Sequence, residues 1–305
     1  MKLIKLLYAP ILLSGALLLV ACSTAPRPTD RVDPPTTTTA VPKVVTFQQI
    51  RNATIKLNYA GTTFLVDPML GAKGAYPGFE GTRNSERRYP LVDLPVPVDE
   101  ILDTDAIILT HLHDDHWDKA ARNLVPRNMP IFTQNTADAA PVRKDGFTNV
   151  RVLTQAGITF NQTTLYKTAG KHGTNEMYAI PAVAESLGKT MGIVFQQPGY
   201  KTTYVAGDTI WTDAVESALN RYQPDIIILN TGYAQLEGID GSILMGKDDL
   251  YRAYELAPNA YIIGTHMDAV NHAMLTRAEL RRFITENNLD SKRALVPGDG
   301  QAYEF

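Results

Sequence analysis

Residues 110–118 read Thr110-His-Leu-His-Asp-Asp-His-Trp-Asp118 and hold three of the chain's six histidines. His111, His113, Asp115 and His116 make the pattern H-x-H-x-D-H. It directly follows Ala106-Ile-Ile-Leu109, an apolar run of the length and content of a buried strand. On extended backbone, side chains two positions apart project to the same side, so His111 and His113 face together. Asp115 and His116 then turn the chain and offer further donors. Imidazole and carboxylate at this density suit a borderline divalent cation. The competing reading, a polar surface loop with chance histidines, does not explain why half of them cluster here.

H-x-H-x-D-H after a strand resembles the signature of the metallo-β-lactamase superfamily. The resemblance implies an α/β fold, a four-layer αββα sandwich, with a dinuclear metal site at one sheet edge. It also implies three later ligands: a histidine, a bridging aspartate and a final histidine. His172 in Ala169-Gly-Lys-His-Gly-Thr174, Asp208 in Val205-Ala-Gly-Asp-Thr209 and His266 in Ile263-Gly-Thr-His-Met267 match, each after a strand candidate. Strand ends are where loops build sites on a rigid base. By resemblance, His111, His113 and His172 bind one metal, Asp115, His116 and His266 the other, and Asp208 bridges them. Taken singly, His172 could be a surface residue, Asp208 a helix N-cap and His266 a satisfied buried histidine. The His-Trp-Asp ending and compact ligand set look nearest the branch of ascorbate-6-phosphate lactonases and N-acylphosphatidylethanolamine phospholipase D.

That family implies hydrolysis of an ester, lactone or phosphodiester by a metal-bridging hydroxide. Asp115 is expected to orient the hydroxide as well as bind metal, and Asp208 to join both ions. His272 is a candidate to hold substrate or protonate the leaving group, with a capping or surface role as its alternative. A true β-lactamase fits less well, because those enzymes generally lack the bridging aspartate. Two divalent ions are expected; nitrogen and oxygen donors accept Zn, Mn or Fe, with Zn first. Two other readings stay open: a lipid-directed phospholipase D-like enzyme, and a non-enzymatic metal- or ligand-binding lipoprotein that has kept the fold.

Other polar residues divide between two roles. Asp67, before Pro68, either braces the metal loop or is a turn residue. Asp114 and Asp118 either support ligands or face solvent. Tyr233 is a candidate for the pocket wall. The insertion Gly71–Arg88, with Arg83, Arg87 and Arg88, is either a substrate lid or a surface loop.

At 305 residues, 44% hydrophobic and 20% charged, the chain has an ordinary globular composition. A net charge of -3 and the lack of a long basic run argue against nucleic acid as a partner. The expected partners are a small-molecule or lipid substrate and a membrane.

The membrane follows from the first residues. Lys2 and Lys5 precede the apolar stretch Leu6–Val20, the length of a signal-peptide core and short for a span. It ends in Leu19-Val20-Ala21-Cys22, which resembles the lipobox of bacterial lipoproteins. Residues 1–21 then read as a signal peptide and Cys22, the only cysteine, as the lipidation site. Residues 22–43 are a Thr/Pro-rich tether that can bury little apolar surface, and 44–305 the hydrolase domain. An exported enzyme is expected, on the outer membrane facing the periplasm if the host has two membranes. With Cys22 lipidated, no disulfide is available to the domain.

Within the domain, Thr54–Asn58 and Thr63–Val66 flank a Tyr59-Ala-Gly61 turn and predict a hairpin. Ile131–Thr133, Val150–Leu153, Thr164–Lys167, Gly192–Phe195, Thr203–Ala206, Asp225–Leu229 and Tyr261–Ile263 predict further strands. Helices are predicted over Asp213–Tyr222, Lys247–Leu256 and Thr276–Asn287, the last opening with the capping box Thr276…Glu279.

Overall fold

The computed structural model describes residues 43–305; the expected signal peptide, Cys22 and the expected tether up to residue 42 lie outside the described residues. Strand β1 (Thr46–Arg51) runs into the expected hairpin of β2 (Thr54–Tyr59) and β3 (Thr62–Val66). The hairpin turns at Ala60 and Gly61, whose φ of 51° and 75° supply the positive pair that suits a two-residue connection. Then come α1 (Val98–Leu102), β4 (Ala106–Ile108), α2 (Lys119–Leu124), β5 (Ile131–Thr133), α3 (Thr136–Lys144) and β6 (Val150–Val152). The middle of the chain forms β7 (Ile158–Phe160), β8 (Thr163–Ala169), α4 (Asn175–Tyr178), α5 (Pro181–Leu187), β9 (Met191–Gln196) and β10 (Thr203–Val205). It closes with α6 (Asp213–Tyr222), β11 (Ile226–Asn230), α7 (Lys247–Leu256), β12 (Tyr261–Thr265), α8 (Arg277–Glu286), β13 (Ala294–Leu295) and β14 (Ala302–Glu304).

These strands form two seven-stranded sheets, ordered β14-β1-β2-β3-β4-β5-β6 and β13-β12-β11-β10-β9-β8-β7. Strands β3 to β6 are parallel in the first, and β10 to β13 in the second. Alternation along a strand divides its side chains between layers. Ile226 and Ile228 enter the core between the sheets with Phe64, Ile108, Phe132 and Phe195. Ile227 and Leu229 point the other way, against Val215, Leu250 and Leu280 of α6, α7 and α8. Beyond the first sheet, Leu65, Ile107 and Ile131 meet Ile101, Ala121 and Val142 of α1, α2 and α3. The layers are helix, sheet, sheet, helix, as expected. Each fully buried aliphatic side chain contributes roughly 1.5–3 kcal/mol of transfer free energy. A strand buried on both faces reads as a near-continuous apolar run, as Ile226–Leu229 does.

The sequence reading missed β1, β7, β13, β14 and helices α1 to α5. Those helices span nine residues at most, too few for a clear amphipathic period. Pro141 inside α3 and Pro181 at the start of α5 further obscure them. Helices therefore flank the first half of the chain as well as the second.

Candidate metal centre

The site sits at the carboxyl ends of the parallel strands β4, β10 and β12 and of β8, which pairs antiparallel with its neighbours. Beyond β4, Leu109 continues the strand and the H-x-H-x-D-H loop begins. The N–H groups of His116 and Trp117 both donate to the carbonyl of His113 (2.9 Å each), a tight turn that brings Asp115 and His116 round. His172 follows β8, Asp208 follows β10 and His266 follows β12. Gly207, with φ of 68°, sets up Asp208, and a Cβ there would lie 2.3 Å from the carbonyl oxygen of Met191. His266 takes the left-handed φ of 63° itself, a conformation that costs a non-glycine residue energy and clusters at functional sites.

All seven predicted ligands converge. Three groups of donor atoms each fall within 4.8 Å of one another: His111–His113–His172, His111–His116–Asp208 and Asp115–His116–His266. Asp208 Oδ2 is the hub, 3.1 Å from His116 Nε2, 3.6 Å from His172 Nε2 and His266 Nε2, and 4.0 Å from His111 Nε2. Asp115 Oδ2 lies 3.2 Å from His266 Nε2. His113 is half-buried and the other six are buried.

The outward ring nitrogens fix which inward nitrogens carry lone pairs. His172 Nδ1 donates to the carbonyl of Ile243, and His113 Nε2 to that of Ser186, both at 2.8 Å. His116 Nδ1 donates to Asp67 Oδ2 at 2.8 Å. Their other nitrogens face inward, where each could give a lone pair to a cation, with nitrogen–nitrogen approaches of 3.2 Å (His116–His266) and 3.3 Å (His172–His113). His111 Nε2 is buried with no hydrogen-bond partner. Lone pairs gathered in this way, with carboxylates among them, fit a cation and are poorly satisfied by protons. The charges conform. Burial opposes ionisation of Asp208 and Asp115, yet the neighbouring imidazoles, His116 foremost, hold both well below the usual carboxylate range. Burial also opposes charge on His116, but Asp208, Asp115 and Asp67 hold it well above the ordinary imidazole value. Burial lowers His172 to about 4, and takes His111 well down, helped by His116 and His113.

Supporting residues that the sequence left open now separate. Asp67 braces the loop: it accepts from the Thr110 N–H (2.7 Å), the Thr110 hydroxyl (2.6 Å) and His116 Nδ1. Asp118 is a buried cap of α2, accepting from Ala121 N–H (2.7 Å) and Gly71 N–H (2.6 Å). Asp114 pairs with Arg122 at the surface. Tyr233 lies away from the metal cavity, half-exposed beside Gly246 and Met274 in a separate hollow. His272 is buried and lines the cavity, so the surface alternative for it is wrong. Of the 71–88 insertion, Phe79, Glu80 and Thr82 reach the cavity, while Arg83, Arg87 and Arg88 are exposed and absent from its lining. Sequence reading missed Asn52 and Asn230. Asn230 Nδ2 donates to Asp208 Oδ1 (2.6 Å), and Asn52 Nδ2 to Asp115 Oδ2 (3.2 Å). Asn230 ends an apolar strand, a signal that could have been noticed; Asn52 sits in an ordinary-looking turn.

The family model described as "Beta-lactamase superfamily domain" matches residues 62–267. The UPF0173 protein YddR of Bacillus subtilis (strain 168) is 46% identical over 258 residues, covering 84% of this chain and 98% of the relative. A solved possible metal-dependent hydrolase from Veillonella parvula superposes with a TM-score of 0.84 at 47% identity, covering 85% of this chain and 99% of that one. The solved isothiocyanate hydrolase from Delia radicum gut bacteria does so with a TM-score of 0.82 at 46% identity and the same coverage. With its donor cluster intact, the chain is a metal-dependent hydrolase of the metallo-β-lactamase superfamily and belongs to the UPF0173 family.

Proposed function

We propose that the chain is a dinuclear-metal hydrolase of a small, neutral, largely apolar substrate, with an isothiocyanate the first candidate. His111, His113 and His172 would hold one cation, Asp115, His116 and His266 the other, and Asp208 both. Bound there, two divalent cations supply Lewis acidity and bring the pKa of coordinated water near neutrality. Zinc is the first expectation, with manganese or iron as alternatives, since the donor set suits each.

One observation carries the substrate class. The cavity over the cluster measures about 280 Å³, and its lining contains no lysine or arginine. Its floor holds His113, Asp115, His172 and Asp208; Leu112, Leu187, Leu236 and Ile243 supply apolar wall, and Glu80 and Asp114 carry its remaining acids. Two divalent cations would be balanced by Asp115, Asp208, Glu80 and the Arg122-paired Asp114, so with no lysine or arginine on the lining only the ions would attract a phosphodiester anion, and Glu80 and Asp114 would oppose it. Neutral esters and lactones fit better, and the volume, at the low end for ligand sites, suits a short substituent rather than a diacyl lipid. An isothiocyanate is neutral, carries an apolar substituent and has an electrophilic central carbon. The similar enzyme from Delia radicum gut bacteria, at 46% identity, supports that choice. Water adds at the central carbon, the carbon–nitrogen bond breaks, and both protons of water end on nitrogen, giving an amine and carbonyl sulfide without redox change.

The chain's own groups share the work. Asn52 holds Asp115 Oδ2, and Asp115 lines the cavity, where it can accept a hydrogen bond from the attacking water and orient it. His272 lines the same cavity; burial lowers it to about 4, so at neutral pH its ring is uncharged with a single N–H to offer the substrate. Binding rather than full proton donation is the role this assigns it. The metal-loaded chain should be assayed on benzyl isothiocyanate, phenyl acetate, a simple lactone and bis(4-nitrophenyl) phosphate. The isothiocyanate is expected to give the highest kcat/KM, and the phosphodiester to be slower by about 100-fold or more. A phosphodiester preference would overturn the reading.

We also propose that the enzyme is an exported lipoprotein, cut before Cys22 and anchored there, on the outer membrane facing the periplasm in a two-membrane host. Lys2, Lys5, the apolar Leu6–Val20 and Leu19-Val20-Ala21-Cys22 support this. Fatty-acid label fed to expressing cells is expected to enter the parent and not Cys22→Ser. Equal labelling of the two, or none in the parent, would refute it.

A further inference from the structure

The 71–88 segment reaches over the metal cavity and is fastened to the loop after His266 largely by one side chain. Asn271 is buried at 1% exposure. Its Oδ1 accepts from the Phe79 N–H (3.1 Å), and its Nδ2 donates to Thr82 Oγ1 (2.9 Å) and the Arg83 carbonyl (2.8 Å). Asn84 Nδ2 donates back to the Asn271 carbonyl (3.1 Å). The far side of the segment is tied as well: the Arg83 N–H donates to Gln235 O (3.1 Å) and the Glu237 N–H to Gly81 O (2.8 Å). Gly78 is held so closely that a Cβ would sit 2.3 Å from the Ser85 carbonyl oxygen. These bonds place the Phe79 ring, which stacks on Tyr89 (centroids 4.5 Å apart, 22° between planes) and meets the His272 ring edge-on at 5.0 Å. Tyr89 belongs to a small apolar cluster with Met69, Ala269 and Val270, which backs the stack.

We propose that Phe79 is the specificity-determining residue, setting the size of the organic group the cavity accepts, and that Asn271 is its positioning residue. The inference rests on the reading that this cavity takes a substrate's neutral substituent. The segment is then a fixed wall. A mobile lid would not saturate a buried carboxamide at both ends, because each opening would leave those groups without partners. Phe79 is the bulkiest apolar residue on the lining, so trimming it enlarges the space where the substituent lies and widening it closes that space. It also presses on His272, so its position bears on where that ring meets the substrate.

The test uses metal-loaded Phe79→Ala, Phe79→Trp and Asn271→Asp with methyl, benzyl and 1-naphthylmethyl isothiocyanate. Relative to the parent, Phe79→Ala is expected to raise the naphthylmethyl-to-methyl ratio of kcat/KM about 10-fold, and Phe79→Trp to lower it, as one or two methylenes of pocket space do. Asn271→Asp keeps the acceptor for Phe79 N–H and loses both donated bonds. It is expected to raise KM severalfold with kcat and metal content near the parent's, and to speed amide hydrogen exchange at Phe79 and Thr82. Ratios that ignore residue 79, or exchange unchanged by Asn271→Asp, would overturn the assignment. Fit is read separately from turnover by titrating acetonitrile and 1-naphthylacetonitrile against the methyl NMR signals of Leu187 and Ile243. If no isothiocyanate is hydrolysed, the substrate reading fails. The nitrile affinities still decide the wall: a parent-to-Phe79→Ala change favouring the larger nitrile supports it, and none refutes it.

Discussion

Asp208→Ala is expected to take the metal-loaded chain from about two bound ions to fewer than one, and to cut kcat by on the order of 10⁴-fold or more. The argument is geometric. Asp208 Oδ2 is the atom shared by both sides of the cluster, 3.1 Å from His116 and 3.6 Å from both His172 and His266. Its removal leaves five imidazoles facing one another with one carboxylate fewer to offset a cation's charge. Asn230 would also lose the acceptor of its 2.6 Å bond, so the floor of the site loosens as well as losing a ligand. Asp208→Asn tests charge apart from shape: it keeps the side chain's size, removes its charge and sets an amide against Asn230. Inductively coupled plasma analysis after dialysis, run beside the turnover assay, reads both effects. Two ions per chain retained in Asp208→Ala would show that this residue is not the bridge, and normal turnover would show that the cluster is not the reactive site.

How far the sequence spoke follows from what each residue needs around it. A ligand loop has to place several donors at short spacing after a strand, so His111, His113, Asp115 and His116 announce themselves. The later ligands stand one at a time, and only their shared place after strand candidates, with the family's order, brought His172, Asp208 and His266 together. Strands buried on both faces were plain. β1 was not, because its buried positions include Gln49 and Arg51. The two terminal nitrogens of Arg51 donate to the carbonyls of Val92, Met69 and Gly71, contacts contributed from residues 18 to 41 positions away. No local pattern reports such a partner. The same holds for Asn52 and Asn271, whose importance lies wholly in what the fold brings to their amides. Tyr233 illustrates the reverse error: closeness in sequence to a site-bearing strand did not put it in the metal cavity.

Asp67 offers the other large effect. It was evenly balanced in the sequence between brace and turn, and the structure makes it the point where the ligand His116 and Thr110, the neighbour of the ligand His111, are held. One oxygen takes the Thr110 N–H; the other takes the Thr110 hydroxyl and His116 Nδ1 at 2.6 and 2.8 Å. The bond to Nδ1 holds a proton there, so Nε2, facing the cluster, is the atom that would give its lone pair to a cation. Asp67 itself takes a φ of 48°, and is 1% exposed, so burial raises its pKa and only these partners, His116 first, pull it back. Asp67→Ala leaves three buried polar groups without an acceptor and frees the His116 ring to change tautomer. Metal affinity is expected to fall about 10- to 100-fold, the range for removing a ligand's outer partner. Stability is expected to drop by about 3 kcal/mol from the broken buried pair. Asp67→Asn separates the two: its carboxamide oxygen can still accept from His116, so affinity should recover in part while the charge is lost. Metal titration with a chromophoric chelator gives the first quantity and denaturant unfolding of the chelated protein the second. Asp208 and Asp115 face His116 Nε2 and not Nδ1, so they cannot replace Asp67 in holding the Nδ1 proton, and if Asp67→Ala bound metal as tightly as the parent the role assigned to this brace would fall.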